Sequence, residues 1–176
     1  MTSKLVDFKD RLKKISPISL AISCCRGFRK GNNPLSTANS LNSSGRWHIK
    51  GKFGAIYTGE SREVCKEEIL RQFEGVIPKY EYKLAELNTS LNKVLDLTNP
   101  ENLKLLNIEE EELISGEGTD PDTVVIPNSI ANSAYDTGYE AIIVPSATGL
   151  GRTIVIYPDN FMNNTSIKVK SEKKLI

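Results

Sequence analysis

Leu5, Phe8, Leu12 and Ile15 recur at helical spacing with charged residues between them, which predicts an amphipathic helix that Ser16-Pro17 ends. Its apolar stripe is read as docking on the chain's own core; the alternatives are a membrane surface or a partner. Residues 18–25 form a short β-like run. Residues 27–44 collect glycine, asparagine, serine and Pro34, which predicts a long functional or mobile loop. Residues 53–58 read as a buried strand closed by Gly59. Glu60-Ser61 then opens a helix to about Glu74, with Gly75 and Pro78 as its stop. Residues 80–87 and 93–97 predict two further strands, and Pro100 starts a helix through Leu103, Leu105 and Leu106. The acidic run 109–112 is a solvated face near a helix start, because consecutive residues diverge around a helix. After a polar loop over 115–122 come a short helix at 127–135, ended near Gly138, and a strand at 140–144 that Pro145-Ser146 terminates. Strands at 152–157 and 166–170 complete the chain.

Helices and strands do not alternate strictly, so the expected class is α+β with a mixed or largely antiparallel sheet. The expected division is an N-terminal helix over 1–17 and one domain over 18–176. Composition fits a water-soluble globular chain: 176 residues, 39% apolar and 26% charged. A formal charge of +1 argues against a nucleic-acid binder that works by bulk electrostatics. No apolar run reaches membrane-spanning length, and residues 1–19 lack the apolar centre of a signal peptide. Cys24, Cys25 and Cys65 form no CxxC pair, and with His48 as the single histidine the usual zinc spacings cannot be met. The expectation is reduced thiols, no metal and a cytoplasmic location.

The densest chemistry lies between Ser44 and Phe73. On the helical wheel Glu68 projects toward the apolar side with Val64 and Cys65, while Glu67 falls on the polar edge. A carboxylate there needs a partner or a task, so Glu68 is either a salt bridge to a core arginine or a site carboxylate. Arg46 follows the exposed run 42–45 and suits an anion, with a surface arginine as the plain alternative. Trp47 is read as a core plug and Tyr57 as a core cap or a ring-stacking residue. His48 lacks a second histidine or a well-placed cysteine, so it is expected at the surface or one step removed from a site. Ser146 sits in Val-Pro-Ser-Ala without the nucleophile elbow of a triad hydrolase. Residues 149–152 form a glycine turn between strands that opens no helix, so phosphate-loop and dinucleotide fingerprints fail.

Taken in order, Arg26, Gly45-Arg46-Trp47 with Gly51, the strand end from Tyr57 to Ser61, Glu68, Val94-Leu95-Asp96-Leu97 and Pro145-Ser146-Ala147 resemble the RES domain family, named for its Arg, Glu and Ser. The resemblance covers about residues 20–160 and rests on order and spacing together. Ser44 stands where a second glycine is common, His48 where asparagine is usual, and Thr153 where an asparagine often precedes the last strand. The resemblance implies an ADP-ribosyltransferase-like split sheet with flanking helices around an NAD cleft, and a bacterial toxin that depletes NAD and is neutralised by an Xre-like helix-turn-helix antitoxin. NAD is then the substrate. Arg26 and Arg46 would meet its pyrophosphate, Tyr57 would wall the nicotinamide, Glu68 would hold the ribose, and Ser146 would bond the ligand or Glu68. Glycohydrolase, phosphorylase and ADP-ribosyltransferase activities all fit this set. A homodimer through the N-terminal helix is left open, and a non-catalytic nucleotide-binding or protein-interaction module of the same fold is the rival reading.

Overall fold

The computed structural model describes residues 4–74, 76, 79–116, 120 and 122–176. Its strands are β1 (Ile18–Arg29), β2 (Ile56–Gly59), β3 (Tyr82–Asp96), β4 (Ala141–Pro145), β5 (Arg152–Ile156) and β6 (Ser166–Lys174). They pair in the order β1-β2-β5-β4-β3-β6, and β1 also pairs with β3, so the first five close into a barrel. All pairings are antiparallel except β3 with β4. The mixed α+β class is therefore present, and closure of the sheet is an addition to it. The seam is narrow: β1 meets β2 through the single pair Cys25 and Gly59.

The expected strands at 80–87 and 93–97 are one strand. Leu87, Thr89 and Leu91 are buried while Asn88 and Ser90 are exposed, so the polar middle of β3 keeps the period of two. Thr89 satisfies its hydroxyl on the Ile22 carbonyl at 3.0 Å. β1 likewise runs past residue 25 to Arg29, paired with Tyr82, which shortens the expected loop.

Six α-helices among the described residues flank the barrel: α1 (Lys9–Leu12), α2 (Ala38–Asn42), α3 (Arg62–Gln72), α4 (Pro100–Leu106), α5 (Glu110–Ile114) and α6 (Val125–Asp136). The expected stop of α3 at Gly75 and Pro78, and part of the 115–122 loop, lie outside the described residues. The acidic run begins α5, where Glu112 accepts the Glu109 N–H at 2.8 Å in a capping box. The N-terminal segment is regular helix only over α1, yet Phe8, Leu12 and Ile15 are buried in the main core. Its backbone is tied to α6, with Val6 N–H on Ser129 Oγ at 2.9 Å and Phe8 N–H on Ser133 Oγ at 3.0 Å.

Two apolar layers sandwich the strands. Cys24, Phe28, Ile56, Leu87, Ile143 and Ile154 fill the barrel side. Ile142, Val144 and Val155 face the helices together with Trp47, Phe53 and Leu113. Burial on both faces explains the unbroken apolar run of β4. At its foot Glu140 is fully buried and accepts from Asn92 N–H at 2.6 Å, Met162 N–H at 3.0 Å, Lys93 N–H at 3.4 Å and the Thr165 hydroxyl. Burial alone would push this carboxyl up, but the four hydrogen bonds together hold it below the ordinary range. No described helix is long and apolar enough to cross a membrane, and no group of three or more His, Cys, Asp or Glu among the described residues is placed to hold a metal.

Candidate functional site

The site grows from the junction of β2, α3 and the end of β4. Ser61 caps α3 by accepting the Val64 N–H at 3.2 Å. Gly59 lets the helix close on the strand, since a Cβ there would lie 2.9 Å from Val64. With Val64, Cys65 and Ile69 buried, Glu68 falls half-buried and Glu67 exposed. Opposite it, β4 delivers Ser146, whose N–H is held by the Gly151 carbonyl at 2.7 Å. That turn needs glycine, with φ of +76° at Gly149 and +146° at Gly151. Glu60 braces the other side of the turn, accepting Arg152 N–H at 3.0 Å and Nε at 2.7 Å.

The Ser146 hydroxyl donates to Glu68 Oε1 at 2.5 Å. With its one proton spent, it accepts from the Thr148 hydroxyl at 2.7 Å and from Thr148 N–H at 3.2 Å. The hydroxyl is fully committed, which suits a residue that aims Glu68 rather than one that attacks. Glu68 Oε2 has no hydrogen-bond partner among the described residues.

Tyr57, from the helix-facing side of β2, is held by its hydroxyl. That oxygen accepts the Trp47 N–H at 3.0 Å and lies 2.7 Å from His48 Nδ1, while His48 Nε2 lies 2.9 Å from the Ser43 carbonyl. The carbonyl can only accept, so Nε2 carries the proton and Nδ1 takes the Tyr57 hydroxyl proton. Burial pushes the Tyr57 phenol well up, and it pushes His48 down against the opposing pull of the Ser43 carbonyl. His48 is 4% exposed, which corrects the surface half of its expectation and leaves the other half, a residue one step removed from the site. Trp47 is a core plug as read, and its carbonyl receives the Tyr157 hydroxyl at 2.9 Å.

Arg46 is partly spent on backbone. Nη1 donates to the Leu113 and Ser115 carbonyls at 3.1 and 2.9 Å, and Nη2 to Gly116 at 2.8 Å, across the end of α5. Three of its five N–H groups are thus committed. The guanidinium is pulled down by burial and by the charge of Arg71, and stands within electrostatic reach of Tyr57 and Glu68. Asn128 of α6 fixes the same loop by donating to the Gly45 and Arg46 carbonyls at 2.8 and 2.7 Å.

Arg26 lies apart. Strand alternation puts it on the face of Cys24 and Phe28, which line the barrel, while Tyr57 faces the helices. Its Nη2 donates to the Ser36 carbonyl at 3.1 Å and its buried Nη1 has no partner. Burial pulls this guanidinium down to about 10, with Cys65 opposing. The structure therefore joins Glu68 to Ser146 and sets Arg46 within electrostatic reach of both Glu68 and Tyr57. No hydrogen bond among the described residues links Arg26 to that group. Sequence reasoning missed Thr148, Asn128 and the buried place of His48. Only the Thr two residues after Ser146 left a local signal, since Asn128 acts from 82 residues away.

The RES domain family model matches residues 23–173. The NAD(+) phosphorylases MbcT of Mycobacterium bovis and Mycobacterium tuberculosis are 23% identical to this chain over 153 residues, covering 84% of it and 79% of theirs. The crystal structure of the M. tuberculosis MbcT-MbcA toxin-antitoxin complex contains a similar fold, with a TM-score of 0.81 at 21% identity over 95% of this chain and 91% of that one.

Proposed function

Because the chain belongs to the RES domain family, we propose that it consumes NAD by breaking the bond between nicotinamide and ribose, with inorganic phosphate as the acceptor. The observation that carries this is the Ser146-to-Glu68 hydrogen bond, which leaves Glu68 Oε2 without a partner among the described residues and within electrostatic reach of Arg46. Departure of nicotinamide passes through an oxocarbenium-like state. The C–N electron pair leaves on the ring nitrogen, so the pyridinium departs neutral and needs no general acid. The Glu68 carboxylate, aimed by Ser146, holds the ribose and stabilises the positive charge that grows there. Tyr57 walls the leaving ring. A phosphate oxygen then bonds the anomeric carbon and gives ADP-ribose 1″-phosphate. The curated relatives' description as phosphorylases favours phosphate over water or a protein side chain as acceptor.

The two N–H groups left on Arg46 are donors for the substrate's pyrophosphate or for phosphate itself, while Arg26, whose Nη1 is buried on the barrel side, takes no direct part in this reading. In this reading the closed sheet and its flanking α3 correspond to an ADP-ribosyltransferase-like cleft. We propose further that the chain is the toxin of a toxin–antitoxin pair, held inactive by an antitoxin protein of the Xre-like type. The structural neighbour, itself a toxin in complex with its antitoxin, supports that reading at the level of fold. Expression in bacteria without an antitoxin is expected to arrest growth as cellular NAD falls, with Glu68→Ala relieving both. Growth arrest with NAD unchanged would overturn the reading.

A further inference from the structure

We infer that His48 is a positioning residue of this site for Tyr57: its Nδ1 accepts the Tyr57 hydroxyl and so fixes the ring that walls the leaving group. This deepens the NAD reading and rests on it. The geometry is specific to one side of the imidazole. Nδ1 lies 2.7 Å from the Tyr57 oxygen, Nε2 lies 2.9 Å from the Ser43 carbonyl, and the two rings meet edge to face at 81° with centroids 5.7 Å apart. The Trp47 N–H closes the arrangement on the Tyr57 oxygen from the backbone side. Gly45 is part of the same device. It bridges to His48 in a tight antiparallel pair, and a Cβ at Gly45 would overlap the imidazole. The ring is thus wedged against bare backbone, with one nitrogen serving the fold and the other serving Tyr57. Tyr57 keeps part of its surface accessible while its hydroxyl is tied, as a wall for a flat ring requires.

The two nitrogens can be separated by substitution. The Oδ1 of His48→Asn stands where Nδ1 stands, so that variant keeps an acceptor for Tyr57 and loses the Ser43 bond. The amide of His48→Gln reaches the place of Nε2, so it keeps the Ser43 bond and loses the acceptor. A merely structural histidine would rank the two by stability; a positioning histidine ranks them by turnover. With NAD as probe, wild type and His48→Asn are expected to agree within about three-fold in kcat. His48→Gln and Tyr57→Phe are each expected to fall about ten-fold or more, with KM changed less than kcat, and the double variant to fall no further than either alone. Equal kcat for the Asn and Gln variants, with nicotinamide still released by wild type, overturns the assignment to His48 alone. Absence of release by wild type overturns the NAD reading and this one with it. Because the chain holds a single histidine, nitrogen NMR of the folded wild-type protein gives a second check free of any variant. Protonation at Nε2 with an unprotonated, hydrogen-bonded Nδ1 is expected, and the opposite tautomer overturns the inference.

Discussion

Replacing Ser146 with alanine removes the hydroxyl that donates to Glu68 and keeps the Glu68 side chain itself, so it tests the worth of aiming that carboxylate. The lost bond is short, at 2.5 Å, lies where Ser146 is 3% exposed, and has a carboxylate as its acceptor. A hydrogen bond to a charged group contributes about 1.5–3 kcal/mol net. If that whole term is felt in the transition state, kcat falls about 10- to 150-fold, at about 1.36 kcal/mol per decade. The same change leaves the Thr148 hydroxyl and N–H without their acceptor, at a cost of about 1 kcal/mol. For a chain of this size that lowers Tm by about 2–4 °C. The assay is nicotinamide release at saturating NAD, with Tm measured on the same preparation. Wild-type kcat in Ser146→Ala at the lowered Tm refutes the positioning role. A collapse of about 10⁶-fold, the size seen on removing a nucleophile, refutes it from the other side, because it makes Ser146 the attacking group.

Gly45→Ala forces a Cβ into the imidazole of His48; turnover is expected to fall together with a loss of about 1–3 kcal/mol, read by denaturant unfolding, and a neutral substitution contradicts the packing described. Glu140→Gln sets an amide N–H₂ against backbone or hydroxyl donors, for a loss of about 2–4 kcal/mol. Since the folded-state pKa of Glu140 lies below its ordinary value, the stability it supplies is present above about pH 4.3 and is lost as pH falls through the folded value. Thermal unfolding across that range is expected to show a shallower acid limb in the glutamine variant, and identical limbs refute the assignment.

The sequence was most informative where one residue's direction follows from local geometry. The helical wheel separates Glu68 from Glu67, and the structure places one half-buried against Ser146 and the other exposed. The start of α4 was legible for the same reason, since Pro100 acts within one turn; the acidic run was read as a face near a helix start, and the capping box it forms at α5 was not. Barrel closure was not legible, because it depends on β1 reaching across to β3 and on one pair between Cys25 and Gly59. The polar residues 88–90 hid the continuity of β3, where the buried Thr89 has its hydroxyl on a β1 carbonyl. His48 was undervalued because metal and triad logic both look for partners of like chemistry. Its partners are a tyrosine hydroxyl and a carbonyl, which no spacing rule marks. The commitment of Arg46 to the end of α5 is a contact across 67 to 70 residues and invisible at the level of motif.

The most direct test is to incubate the purified chain with NAD and inorganic phosphate and to follow products by phosphorus NMR. Nicotinamide and ADP-ribose 1″-phosphate are expected from the wild type, with turnover by Glu68→Gln reduced by at least about a thousand-fold. NAD left intact by the folded wild type, or consumed equally fast by Glu68→Gln, contradicts the NAD reading.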